Sequence, residues 1–145
     1  MEVKQFSSEK DIESVLDLFI RVMSEYPYEE NWTRTSAFKA LKGYFQNSEG
    51  FCFYAQESDN VIGFVFCIIQ VWDDGDHLFV EQTIIDPLYR NKGVGTSLIR
   101  KVEKTAKEKG IKSIELMTTK KSSAYEFWKK RGYVFEGYEL LGKEI

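Results

Sequence analysis

One junction constrains the fold of this 145-residue chain more than any other stretch: Ile84-Ile85-Asp86-Pro87-Leu88-Tyr89-Arg90-Asn91-Lys92-Gly93-Val94-Gly95-Thr96-Ser97-Leu98. Before it, His77 to Ile85 has the composition of a strand and is stopped by Asp86-Pro87, since proline cannot donate to a sheet ladder. After it, Val94, Leu98, Ile99, Val102 and Ala106 recur at helical spacing until Gly110. A strand therefore passes through the turn Arg90-x-x-Gly93-x-Gly95 directly into an amphipathic helix. Glycines let a ligand approach the backbone, and the first N–H groups of the helix face it with the positive end of the macrodipole. The natural guest is a phosphate or pyrophosphate. Arg90 and Lys92 add formal charge. A bare GxG is also common in turns that bind nothing. Two nucleotide loops fit poorly: there is no GxxxxGK(S/T), and Gly93-x-Gly95 lacks the third glycine of GxGxxG. A dinucleotide fold would further need parallel βαβ units from the start of the chain, and these are absent.

The remaining pattern is one of alternating elements without repeats, linkers or low-complexity stretches. Val3 to Phe6 reads as a short strand. Ser8-x-x-Asp11 resembles a capping box that opens a helix with Ile12, Val15, Leu16, Phe19, Ile20 and Met23 on its apolar face. A second helix is expected from about Thr33 to Gln46, with Phe38, Leu41 and Phe45 together. Phe51 to Glu57 and Val61 to Trp72 read as a hairpin, the second strand apolar on both faces and so central. Ile114 to Thr118 is another strand, Ser122 to Arg131 a helix, and Tyr133 to Leu141 one or two closing strands. The expected fold is mixed α/β over a single domain, residues 1–145, with a mostly antiparallel twisted sheet of six to seven strands and about four helices.

Composition bounds the function. At this length about two-thirds of the unfolded chain's surface can be buried, so a core forms without staples. The net charge of −3 argues against a dedicated nucleic-acid binder, but it hides a division. Residues 43–89 carry eight acids and no Lys or Arg, whereas residues 90–145 carry 14 basic and seven acidic residues. The longest apolar run, Val61 to Ile69, is too short for the ~17 residues of a membrane helix. Five acids within the first 20 residues are incompatible with a secretory h-region. A cytoplasmic protein is expected. Two cysteines and one histidine do not make a zinc site, which normally takes four N/S ligands, and no metal is expected. If Asp59-Asn60 is a two-residue turn, Cys52 faces Cys67 as two buried thiols rather than a disulfide. His77 reads as structural before catalytic.

Pro87 to Gly95 resembles the acetyl-CoA pyrophosphate loop of the GCN5-related N-acetyltransferase (GNAT) superfamily. Ala124-Tyr125-Glu126-Phe127-Trp128-Lys129-Lys130-Arg131-Gly132-Tyr133 resembles its later helix and Gly-aromatic turn. Spacing and element order match over essentially the whole chain. The resemblance implies splayed central strands with the pantetheine arm of acetyl-CoA paired to backbone near Ile84 and Ile85. The pyrophosphate would rest on Arg90, Asn91, Lys92, Gly93, Val94, Gly95 and Thr96, and Trp128 would lie against the cofactor. It also implies direct acetyl transfer to an amine.

Glu81 is the candidate base, because a carboxylate in a half-buried strand is costly unless it is paired or reaches a wet cleft; a structural, salt-bridged glutamate is the other reading. Its position nine residues before Arg90 is similar to that of a general-base glutamate in several members of the superfamily. An amine with a pKa near ~10 must lose a proton before it can attack. Two positions depart from the family pattern. Trp128 stands where many relatives have a proton-donating tyrosine, and Lys121 where many have an asparagine. Tyr125, one turn earlier, is then a candidate acid, or a packing aromatic. Acceptor recognition is expected from Tyr28 and Trp32 after the first helix and from Asp73 and Asp74 in a later turn, where aromatics and acids suit a cationic amine. The expected reaction is acetylation of a small-molecule amine. A peptide or protein amine and a catalytically weak CoA-binding module remain open alternatives, as does a homodimer.

Overall fold

The central strand of the molecule is apolar on both sides because both sides are covered. In the computed structural model, which describes residues 1–145, β3 (Asn60–Trp72) points Phe64 and Phe66 toward two N-terminal helices and Val65 and Cys67 toward a third. The first two are α1 (Glu9–Met23) and α2 (Arg34–Gln46). The third, α3 (Val94–Glu108), buries the expected stripe of Val94, Leu98, Ile99, Val102 and Ala106 on the opposite sheet face, where Trp128 of the short α4 (Ala124–Lys130) joins it. Burying each such side chain is worth about 1.5–3 kcal/mol, so two continuous cores clamp the sheet. No helix is long and apolar enough to cross a membrane.

The sheet runs in sequence order through β1 (Glu2–Gln5), β2 (Cys52–Glu57), β3, β4 (Gly75–Ile85) and β5 (Ser113–Leu116). The first three pairings are antiparallel and β4–β5 is parallel. The sheet therefore has five strands rather than six or seven and is mixed, with four helices around it. The strands expected between Tyr133 and Leu141 do not form. β5 offers an edge of only four residues, and Gly132 and Gly137, at φ +90° and +86°, turn the chain away on both sides of the expected first strand. Val134, Phe135, Tyr138, Leu140 and Leu141 consequently stand exposed.

Two local expectations are corrected. Glu57 faces Asn60 across a turn made by Ser58 and Asp59, both at positive φ, and a bulge follows between Ala55 and Gln56. Cys52 therefore lies opposite Phe66 rather than Cys67; its Sγ lies 3.8 Å from the Cys67 carbonyl, and both thiols are free and buried. Burial lifts the Cys52 thiol to about 11 and the Cys67 thiol well above its ordinary range. At the start of α1, Asp11 accepts from the backbone N–H and hydroxyl of Ser7, at 2.8 and 3.0 Å, while the Ser8 side chain caps nothing. The reciprocal capping box appears instead at α2, between Thr33 and Ser36.

Candidate active site

β4 outruns its neighbour. It pairs with β5 only from His77 to Val80, so Glu81 to Ile85 leave an unpaired edge beyond the point where the strands part. The opening is a cleft of about 960 Å³, lined by this edge, Leu116 at the end of β5 and Met117 to Thr119 beyond it, the turn leading into α3, the inner side of α4 and the segment after α1.

Glu81 sits where β4 itself is irregular. Phe66 of β3 faces Gln82 and Cys67 faces Val80, leaving Glu81 as the extra residue of a β-bulge. The bulge inverts the side-chain alternation: Leu78 and Val80 pack in the α3 core, whereas Ile84 packs in the α1 core. A bulge re-aims the side chain it carries, and here that side chain lines the cleft. Glu81 forms no ion pair, and burial pushes its carboxyl above the ordinary range. Tyr44 of α2 is close enough that its phenol is raised by burial and then by the Glu81 charge, with a smaller effect of Glu30.

The segment after α1 forms the adjoining wall. The Glu30 amide donates to the Met23 carbonyl at 2.8 Å, and the Trp32 indole donates to Glu30 Oε1 at 2.8 Å while its ring packs against Phe19. Tyr26, Tyr28 and Glu30 line the cleft; Trp32 acts behind Glu30 rather than in it. The Tyr28 hydroxyl lies 2.9 Å from Ser122 Oγ, and the Ala124 amide donates to the same Oγ at 3.1 Å.

The opposite end is formed by the turn into α3 and the residues packed on it. Asp86 anchors the turn by accepting from the Leu88 amide at 3.0 Å and pairing with Arg21 at 3.3 Å, after which Pro87–Tyr89 form a single 3-10 turn. Asn91 and Gly93 have φ of +61° and +83°, a region that L-residues other than asparagine and glycine rarely enter. The first α3 amide bonded within the helix is Ser97, to Gly93, so those of Val94, Gly95 and Thr96 face outward. A side chain at Gly95 would press on Phe127 of α4 at 3.2 Å. Arg131 donates to Thr96 Oγ1 through Nε at 3.2 Å and through Nη2, and its guanidinium lies 4.5 Å from the Phe127 ring centre.

Of the candidates, Glu81, Tyr28, Ile84, Ile85, Arg90, Asn91, Gly93, Val94, Gly95, Thr96 and Trp128 converge on the cleft. Lys92 does not line it, its ammonium lying over the Tyr89 ring. Tyr125 also lies outside the lining, beneath Lys129. Asp73 and Asp74 are remote from it, because their turn joins β3 to the far end of β4. There Asp74 binds His77 Nε2 at 2.7 Å, Glu115 binds His77 Nδ1 at 2.6 Å, and Trp72 stacks on the imidazole. His77 is a clasp joining that turn to β5, and its pKa is raised first by the Glu115 hydrogen bond. Sequence reasoning missed Arg131, Ser122, Gln82 and Thr83, all in the lining, and Tyr44 beside Glu81. Only Arg131 carried a signal, as the base preceding Gly132-Tyr133. The Thr83 hydroxyl is buried there without a protein partner.

The sequence pattern described as the Acetyltransferase (GNAT) family matches residues 13–133. An uncharacterized N-acetyltransferase of Methanocaldococcus jannaschii is 28% identical over 93% of this chain and 63% of its own length. The chain spans about a third to two-thirds of the length of the curated relatives it matches. Among solved structures, a "possible acetyltransferase from Clostridium difficile 630" superposes with a TM-score of 0.82 at 15% identity, over 99% of this chain and 97% of that one. A "predicted acetyltransferase with acetyl-CoA" from Clostridium acetobutylicum gives 0.78 at 17% identity, over 97% and 95%.

Proposed function

The chain is a member of the acetyltransferase (GNAT) family, and from that premise we propose that it transfers the acetyl group of acetyl-CoA directly to a primary amine of a small cationic molecule. The observation that carries the proposal is the placement of Glu81. It is an unpaired, partly desolvated carboxylate on a bulge, in the same cleft as an anion-receiving helix N-terminus.

The cleft suits acetyl-CoA in three respects. The outward amides of Val94 to Thr96 and the Arg131 guanidinium fit a pyrophosphate. The open edge of β4 at Ile84 and Ile85 presents backbone donors and acceptors to the amides of a pantetheine arm, and the orphaned Thr83 hydroxyl lies on the same strand. Trp128 supplies an apolar floor. The bound co-substrate supplies an activated acetyl thioester; the chain's residues do the rest.

An amine enters mostly protonated, its pKa near ~10. Raising the Glu81 carboxyl brings it closer to that value, so it accepts the amine's proton more readily than an ordinary glutamate, directly or through a water. Backbone amides where β4 and β5 part are the donors available to an oxyanion. Glu30 and Glu81 both lack an ion-pair partner, and Tyr26 and Tyr28 add aromatic surface, which favours a cationic acceptor.

The test mixes protein and acetyl-CoA with polyamines, aminoglycosides, amino acids and peptides and follows free thiol release, with thermal shift by CoA in parallel. Release with a small cationic amine supports the proposal. Release only with peptides transfers it to a peptide acceptor, and stabilisation by CoA with no release indicates a binding module.

A further inference from the structure

Acetyl transfer leaves one proton without a source. As the amine nitrogen bonds to the acetyl carbon, the C–S bond breaks and sulfur departs with the electron pair. Glu81 deals with the amine's proton, not with the one sulfur requires. Trp128 offers only an indole N–H, and Tyr125 lies outside the cleft lining. We propose that Tyr28 donates a proton to the departing sulfur, with Ser122 as the residue that positions its hydroxyl. The assignment rests on the transfer reading above.

The geometry is that of a clasp across the cleft. Tyr28 comes from the segment after α1 and Ser122 from the loop between β5 and α4, 94 residues apart in sequence, and their oxygens are 2.9 Å apart in a part-buried contact. Both residues line the cleft. Ser122 is buried, and its oxygen accepts the Ala124 amide at 3.1 Å. A hydroxyl has one hydrogen and two acceptor sites. With one acceptor site held by Ala124, Ser122 can donate its hydrogen to the Tyr28 oxygen, which turns the Tyr28 hydrogen away from Ser122 and toward the cavity.

The other cleft hydroxyls are less suited. Tyr26 is 71% exposed and has no side-chain hydrogen-bond partner, Tyr89 belongs to the turn before α3 beneath Lys92, and the Thr83 group is an aliphatic alcohol, a far weaker acid than a phenol. Tyr28 is itself 37% exposed, so water can restore its proton after each turnover. The balance closes: ammonium and thioester give one amide, one thiol and one released proton. The nitrogen gives up two protons through Glu81 to solvent, one before attack and one as the tetrahedral intermediate collapses, and the thiol's proton enters from solvent through Tyr28.

The test uses the amine that supports thiol release and compares wild type with Tyr28→Phe and Ser122→Ala. Tyr28→Phe should lower kcat by about 10²-fold while leaving KM for acetyl-CoA within about threefold. It should also shrink the solvent deuterium isotope effect on kcat, which loss of packing alone would not change. Ser122→Ala should lower kcat by a smaller factor and retain the isotope effect. Unchanged kcat and isotope effect in Tyr28→Phe, with thermal stabilisation by CoA intact, overturns the assignment alone. Absence of thiol release by the wild type with every amine overturns the transfer reading and the assignment with it.

Discussion

Replacing Glu81 by glutamine keeps the shape of the side chain and removes its ability to take a proton, and the structure predicts opposite effects on activity and stability. Loss of a general base costs typically 10²–10⁴ in rate, or about 3–5 kcal/mol of transition-state stabilisation. The stability effect follows from linkage. Burial raises the Glu81 carboxyl in the folded state, so the native protein holds that proton more tightly than the unfolded chain. Stability is therefore lost as pH rises from the ordinary glutamate value through the raised one, and the loss is constant above it. The amide of Glu81→Gln has no such proton to lose. Relative to wild type, the variant should match or fall slightly below it in Tm near pH 4 and equal or exceed it at pH 8. Thiol release at pH 8 and thermal melts from pH 4 to 9 measure both. Activity within about threefold of wild type would remove Glu81 as the base. A Tm lower than wild type at pH 8 would show that the carboxylate is a structural partner, and the reasoning from desolvation would fail.

Further outcomes are expected around the cleft and beyond it. Gly93→Val forces a β-branched residue to φ +83°, which costs about 1–2 kcal/mol and should abolish most of the thermal shift produced by CoA. Trp128→Ala empties a side chain that is 6% exposed and should destabilise the fold by about 3–5 kcal/mol in chemical denaturation. Stabilisation by CoA should weaken as NaCl rises from 50 to 500 mM, since the Debye length falls from roughly 14 to 4 Å; a salt-independent shift would count against the anion site. His77, raised by Glu115 and Asp74, contributes stability that is complete below about pH 6.5 and is lost as pH rises through its folded value. His77→Gln should therefore flatten the fall in Tm between pH 6 and 9, and an unchanged slope would refute the clasp.

What could be read from the sequence was governed by local chemistry. The α3 stripe and the turn before it depend on periodicity, glycine and helix-terminus physics within about 20 residues, and the structure reproduces the stripe residue by residue. Partners chosen at long range were not legible. The hairpin turns at Ser58-Asp59 rather than Asp59-Asn60, which alone would set Cys52 opposite Val65, and a one-residue bulge returns it only as far as Phe66; no composition rule announces a bulge. Asp73 and Asp74 resembled an acceptor wall because acids and an aromatic adjoin there, but β4 carries that turn to the far end of the strand from the cleft. Tyr125 and Trp128 illustrate the same limit, since three residues on a seven-residue helix decide which of them lines the cleft. Tyr44 and Ser122 gave no signal, because each matters only through a residue distant in sequence.

The uneven charge along the chain takes on a narrower meaning once its members are placed. The basic final third does not act through its number of lysines: Arg131 reaches Thr96 at the anion turn, while Lys101, Lys104 and Lys107 lie exposed on α3. Within the acidic middle, Asp74 belongs to the His77 clasp and Asp86 to the anchoring of the turn before α3, where it meets Arg21. Only Glu81 from that stretch is left unpaired in the cleft, and its acidic companion Glu30 comes from the first third of the chain. The polarity of the cleft is thus set by groups brought together by folding: outward amides with Arg90 and Arg131 at one end, the unpaired carboxylates of Glu81 and Glu30 at the other, and Glu126 and Lys130 of α4 in the same lining. Reversing the charge of Glu30 should therefore harm binding of a cationic amine more than reversing Asp73, although Asp73 lies in the more acidic segment. Equal effects on the KM for that amine would mean that a diffuse field, not the folded cleft, selects the acceptor.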